Sequence, residues 1–326
     1  MKRKRKIRLK KSKFGRAILF VGVIVFLLGY MNSPKAENDT VPAPVPARQN
    51  TFYCESSDDE FINLFLSRDF FDKVRELKRL FGPDVSIVYQ GLTQSNFFIK
   101  HNEETAFYGA SIVKMALGIY IYREAELTPG LLDKRLAHKS SHYAEGTGVM
   151  QYMDLTRPYT IRELVKYLIE DSDNIAFYML LDEFNSTDVR KYWNSLNTTY
   201  TFVGWDRFGQ INGSDAQIYA EELYRYLRTD TGLSSELGQY FLNAAKNSII
   251  QSAVNEPIYF KYGETMPHYH EVSIVSGKHP YILVIITNLL DKGHYDYIKE
   301  AAARVDELNA RYWQERTDYC AANHTH

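Results

Sequence analysis

Gly109-Ala110-Ser111-Ile112-Val113-Lys114-Met115 is the stretch on which the reading of this chain turns. A hydroxyl and an amine sit three positions apart, at the start of an apolar run that continues to Tyr122. Positions i and i+3 share a helix face, so the Lys114 amine lies beside the Ser111 hydroxyl. A serine hydroxyl is a poor nucleophile until a neighbour takes its proton, and Ser-x-x-Lys supplies that neighbour within one turn. The same four positions also arise by chance, and Ser111 could equally cap a helix. The pattern gains meaning only from partners elsewhere in the chain.

Two further short motifs follow in order. Ser172-Asp173-Asn174 separates two helical stretches; Thr160-x-x-Glu163 opens the first as a capping box, and Ile175 to Phe184 forms the second. Lys261-Tyr262-Gly263 closes the β-rich run that starts at Ile258. Each has an ordinary structural reading: Ser172 and Asp173 as an N-cap pair, Lys261 as a charge guarding a sheet edge. Lys114 is harder to dismiss, because an unpaired charge in an apolar run is costly.

The surrounding pattern predicts a helix from Asp59 to Phe81, ended by Gly82-Pro83, then a hairpin from Val85 to Tyr89 and Phe97 to Lys100. The Ser111 helix runs to about Leu127. After the capping-box helix and Ile175 to Phe184, helices follow at Asp188 to Leu196, Asp215 to Arg228 and Ser235 to Ala245, with Ser214 capping the middle one and Gln217 closing its box. Strands return at Ile258 to Tyr262, His270 to Ser276 and Tyr281 to Thr287, before a last helix from His294 to Trp313. This order predicts an α+β fold: a five-stranded antiparallel sheet flanked by helices plus an all-helical lobe. The sheet lobe takes 56–110 and 250–320, the helical lobe 111–249, and the cleft between them is the natural site.

Ser111-x-x-Lys114, Ser172-Asp173-Asn174 and Lys261-Tyr262-Gly263 together resemble the Ser-x-x-Lys, Ser-Asp-Asn and Lys-Thr-Gly set of class A β-lactamases and penicillin-binding proteins. The likeness covers roughly residues 60–313 and includes Gly146-Thr147-Gly148 before the second motif. It implies an acyl-serine mechanism without cofactor, on a β-lactam or a peptidoglycan stem peptide. Ser111 would attack the carbonyl and Lys114 would act as its base. Ser172 would relay a proton to the leaving nitrogen, and Asn174 would bind the substrate's side-chain amide. Lys261, with Tyr262 and Gly263 beside it, would attract a substrate carboxylate. The backbone N–H groups of Ser111 and Glu264 would hold the oxyanion.

Two departures from the family pattern matter. Gly209-Gln210 stand where class A enzymes carry the loop glutamate that activates the deacylating water, and neither can serve as a general base. Tyr262 replaces the small hydroxyl residue of the third motif. The resemblance therefore implies slow deacylation, as in a penicillin-binding peptidase. A true β-lactamase using another base and a catalytically weak peptidoglycan-binding module stand as alternatives. His268 and His270 alternate on a strand, but with no third ligand in view no metal is assigned.

Charge is unevenly spread. Residues 1–16 hold ten Lys or Arg and no acid, while the rest carries 29 basic against 40 acidic residues. An acidic body argues against nucleic-acid binding. Ala17 to Met31 is uncharged and almost wholly apolar. With cations before it, 17–31 reads as an uncleaved single-pass membrane anchor that leaves 1–16 cytoplasmic and the catalytic domain extracytoplasmic. Residues 32–55 include four prolines and read as a linker to the folded domain, 56–320, expected to be a monomer. The two cysteines, Cys54 and Cys320, stand near opposite ends of the folded part and could pair in an oxidising compartment.

Overall fold

A computed structural model of the chain describes residues 61–62, 66–93, 97–202, 207–290 and 292–323. The segments 1–16, 17–31 and 32–55, with Cys54, lie outside the described residues; Cys320 is half-buried in the last helix. Among the described residues no helix is long and apolar enough to cross a membrane.

In chain order the elements begin with α1 (Arg68–Arg79), β1 (Val85–Gly91), β2 (Phe98–His101), β3 (Phe107–Tyr108), α2 (Val113–Leu127), β4 (Arg135–Leu136) and β5 (Tyr159–Thr160). The helical middle continues with α3 (Ile161–Glu170), α4 (Asn174–Glu183), α5 (Ser186–Ser195), β6 (Gln210–Ile211), α6 (Gly213–Leu227) and α7 (Gly232–Ala244). The chain returns through β7 (Ile258–Thr265), β8 (His268–Val275) and β9 (Tyr281–Thr287) to α8 (His294–Asn323).

Five of these strands form one antiparallel sheet in the order β2-β1-β9-β8-β7. The runs Val85-Ser86-Ile87-Val88-Tyr89 and Tyr281 to Thr287 are rich in β-branched and aromatic residues, which suit a pleated, packed surface. Side chains alternate between the two faces. Val88, Val272, Ile274, Ile282, Val284 and Ile286 join the core shared with the helical middle. Ile87, Tyr89, Phe260, Leu283 and Ile285 join the core under α1 and α8, with Phe70, Leu77, Val305 and Tyr312. Since both faces are covered, β9 is buried along its whole length. The two terminal helices are also tied by polar bonds, Ser67 donating through its backbone N–H and its hydroxyl to Glu315, both at 2.8 Å.

Local signals explain most helix starts. Thr160 and Glu163 form the expected reciprocal box at α3, with Glu163 N donating to Thr160 Oγ1 at 3.1 Å and Thr160 N to Glu163 Oε2 at 2.7 Å. At α6 the expectation fails. Asn212, not Ser214, is the cap, its Oδ1 accepting the Asp215 N–H at 2.7 Å. Asn and Ser are about equally good caps, and the choice is made by tertiary partners. The Ser214 hydroxyl bonds Glu104, and the Gln217 amide bonds Gln90 and Glu221. Helix α2 is apolar almost all round, as expected of a central helix. Lys114 is the one charged residue among its buried positions.

Candidate active site

The segment leading into α2 is held from the side. β3 pairs with β6, Phe107 opposite Ile211 and Tyr108 opposite Gln210, and Gly109 N donates to Gly209 O at 2.9 Å. Ala110 then takes a left-handed φ of +43°, unfavourable for a residue with a Cβ. Ser111 lies in the 3-10 turn Ala110–Ile112 and is only 7% exposed. Neither this turn nor α2 has a side-chain cap bond, so Ser111 is not spent as a helix cap.

One turn on, Lys114 is fully buried, and its Nζ meets the second motif. It donates to the Ser172 carbonyl and to Asn174 Oδ1 at 2.7 Å, and stands 3.4 Å from Ser172 Oγ. From the sheet side Lys261, also fully buried, donates to Ser172 Oγ at 2.8 Å and to its neighbour's carbonyl, Tyr262 O, at 2.8 Å. Two lysines thus converge on one serine hydroxyl. Burial lowers the Lys114 pKa to about 7, against the opposing pull of the Asp173 carboxylate. Lys261 is pushed well below its ordinary value, first by burial and then by Lys114.

Ser172 is itself left-handed, with φ +51°, and fully buried. Asp173 and the Gly-rich loop hold it there. Asp173 Oδ1 caps α4 through the Ala176 N–H at 2.9 Å, and its Oδ2 accepts the Met150 N–H at 2.8 Å. Thr147 Oγ1 donates to the Ser172 carbonyl at 2.8 Å, and Asn174 N donates to Thr147 O. Gly148 has a φ of +116°, and a Cβ there would meet Asp173 Oδ2 at 2.1 Å. Only glycine satisfies both the conformation and the space. The Asn174 amide is engaged on both sides, since its Nδ2 donates to Glu145 O at 3.1 Å while its oxygen accepts from Lys114.

β7 is an edge strand of the sheet, and it brings Gly263 against the Ala110–Ile112 turn. A Cβ on Gly263 would stand 3.0 Å from Ser111 N and 3.1 Å from Ile112 N. The backbone of β7 thereby approaches the Ser111 N–H as closely as a strand can. Tyr262 and Glu264 alternate with Lys261 and Gly263 and so point to the other face of the strand. The Tyr262 ring is half-buried, stacked between Phe260 (6.1 Å) and Tyr269 (6.5 Å), with Lys261 Nζ 4.6 Å from its centroid. The exposed Glu264 side chain raises the Tyr262 pKa after burial itself.

The loop at Arg207 to Ile211 brings an aromatic ring beside Lys114. Phe208 stacks on Phe177 at 5.2 Å, and Lys114 Nζ lies 5.7 Å from both ring centroids. Asp206 lies outside the described residues. Asp173 is the carboxylate whose charge Lys114 feels, and both its oxygens already accept backbone N–H groups.

Sequence reasoning missed the contributions of Thr147, Phe208 and His270. For Thr147 the flanking glycines were a signal; for the other two no local pattern existed. His268 Nδ1 faces Asn288 Oδ1 and His270 Nε2 faces Tyr108 O, so both rings are bonded within the protein. Among the described residues no group of three or more His, Cys, Asp or Glu is arranged to hold a metal ion.

A search of curated proteins returns no match. Solved structures share the fold. PBP-A matches with a TM-score of 0.65 at 14% identity, over 76% of this chain and 97% of its own. A mutant of PBP-A, described as an acyl-enzyme complex with penicillin G, gives a TM-score of 0.66 at the same identity and coverage. A β-lactamase from Sphaerobacter thermophilus matches with a TM-score of 0.65 at 18% identity, over 74% of this chain and 97% of its own. The profile described as the β-lactamase enzyme family matches residues 69–308, which take in Ser111, Lys114, Ser172 and Lys261. The chain therefore belongs to the β-lactamase enzyme family and is a serine hydrolase of that type.

Proposed function

We propose that this protein is a membrane-anchored, extracytoplasmic acyltransferring hydrolase. In this reading Ser111 is acylated by β-lactams or cell-wall peptide amides and released slowly. The observation that carries the acylation step is the bonding of Lys114. A neutral amine has two N–H groups and one lone pair. The Ser172 carbonyl and Asn174 Oδ1 take the two N–H groups, which leaves one lone pair to act as a base; Ser172 Oγ stands 3.4 Å from this nitrogen, and Ser111, one turn earlier in the chain, is the proton source in this reading. The pKa of about 7 means that a large share of the amine is neutral near neutral pH.

Ser111 Oγ then attacks the amide carbon, and the oxyanion forms beside the Ser111 and Glu264 N–H groups. The C–N bond breaks as Ser172 passes its proton to the nitrogen and takes one back from Lys114. The burial of Lys261 next to Ser172 supports a role in drawing in a substrate carboxylate.

Slow release is supported by the loop. Phe208 occupies the flank of Lys114 with an apolar ring, and both Asp173 oxygens are tied to backbone N–H groups. The anchor is supported by ten cations ahead of the apolar segment 17–31. The PBP-A mutant captured with penicillin G supports the β-lactam as a probe.

Intact-mass spectrometry after a short penicillin pulse tests the proposal. The parent should gain one penicillin mass that persists, and Ser111→Ala should gain none. An unmodified parent sinks the acylation reading. An adduct that vanishes within seconds sinks slow release and favours the β-lactamase alternative.

A further inference from the structure

His270 sits on β8 directly across the ladder from Gly263 and is fully buried. Its two ring nitrogens meet main-chain groups of opposite kind. The Thr287 N–H lies 3.2 Å from Nδ1, and a backbone N–H can only donate. Nδ1 is therefore bare, and in the neutral ring the proton sits on Nε2. Nε2 lies 2.8 Å from the Tyr108 carbonyl, a group that can only accept. The two bonds fix the tautomer without reference to any titration.

Tyr108 ends β3, which belongs to a separate two-stranded ladder with β6 rather than to the main sheet. His270 ties that ladder to the sheet. From Tyr108 the chain needs three residues to deliver Ser111: Gly109 bonded to Gly209, Ala110 in its left-handed conformation, and Ser111 with its N–H under Gly263. A strained alanine persists only where its surroundings hold it on both sides. The loop 207–211 holds one side, and the His270 bond to Tyr108 holds the other.

We propose that His270 is a positioning residue for Ser111. Its Nε2–H holds the Tyr108 carbonyl, fixes the entry to the strained turn and sets how Ser111 meets the β7 edge. That Ser111 is the nucleophile rests on the function proposed above.

Two amide variants separate the two ring nitrogens. A glutamine amide reaches the Nε2 position and keeps a donor for Tyr108 O. An asparagine amide reaches only the Nδ1 position, serves Thr287 and removes the His270 donor from Tyr108 O. Both lose the ring, so both lose some thermal stability. Deuterium exchange of peptides covering 107–112, in ligand-free protein, should quicken about tenfold or more in His270→Asn and stay near the parent in His270→Gln. The rate of penicillin acylation should fall between about ten- and a hundredfold in His270→Asn and be largely retained in His270→Gln. Exchange that is unchanged in His270→Asn, or raised equally in both variants, overturns the proposal. So does a 15N spectrum of the parent that places the ring proton on Nδ1, a readout that needs no variant to fold. A parent that takes no acyl group removes the proposed function, while the exchange and the ring tautomer still decide the positioning.

Discussion

Replacing Lys114 with methionine should make the protein more stable at pH 7 and less stable at pH 10. The amine is fully buried, and its pKa falls from 10.5 to about 7 chiefly because it has lost water. Between those values the unfolded chain holds a proton that the folded chain does not, so the parent's stability rises with pH across that window. At 1.36 kcal/mol per pH unit the buried amine costs the fold about 4 kcal/mol at pH 7 and under about 1 kcal/mol at pH 10. Methionine removes that cost and fills a similar volume with apolar atoms. It also strips the donor from the Ser172 carbonyl and from Asn174 Oδ1, about 1 kcal/mol each. Lys114→Met should thus gain about 2 kcal/mol at pH 7, a Tm rise of about 5 °C for a domain of this size. At pH 10 the lost bonds prevail, and the variant should be about 1 kcal/mol less stable than the parent. The assay is urea denaturation of both proteins at pH 7, 8, 9 and 10. The buried tyrosines titrate in both proteins, so the difference between the two curves reports Lys114 together with the Lys261 titration that its charge depresses. A difference that does not move between pH 7 and 10, or a variant less stable at pH 7, refutes the reasoning.

Two further outcomes follow from the same geometry. The acylation rate should fall about tenfold per pH unit below 7 and level off above about pH 8, because only the neutral Lys114 amine can take the Ser111 proton; stopped-flow acylation that is flat from pH 5 to 8 would remove Lys114 as the base. Gly148→Ala should cost about 3 kcal/mol or more, since the added Cβ drives into Asp173 at a φ of +116° and displaces the cap of α4; an unchanged urea midpoint would show that the loop relaxes freely.

The order of strands, the helical middle and the three motifs were legible because each rests on a local signal. A continuous β-branched and apolar run marks Tyr281 to Thr287, the Thr160–Glu163 pair marks a helix start, and Ser111 and Lys114 sit one turn apart. What escaped depends on partners far along the chain. β3 and β6 are two residues long, too short for any period to show, yet they set the turn that carries Ser111. The cap of α6 passed to Asn212 because Ser214 was drawn to Glu104, more than a hundred positions away. The missing glutamate was readable as Gly209-Gln210, but the ring beside Lys114 is Phe208, whose placement depends on stacking with Phe177. Tyr262 was visible as a departure, while its stacking between Phe260 and Tyr269 follows only from the register of β7 and β8.

The sheet draws its strands from both ends of the folded part, so Val88 lies beside Val284. Such a pairing closes a loop of roughly 200 residues before it returns any stabilisation, which makes it the slow step of folding. A chain emerging from synthesis has built α2, with Ser111 and Lys114, well before β7 exists to carry Lys261. In that interval the helical middle can collapse on its own contacts, but the Ala110–Ile112 turn has neither His270 behind it nor Gly263 against it. Under the function proposed above, acylation should report the completion of the molecule: a chain that stops short of β8 should take no label, and the first acylated molecule should mark the moment the sheet has closed.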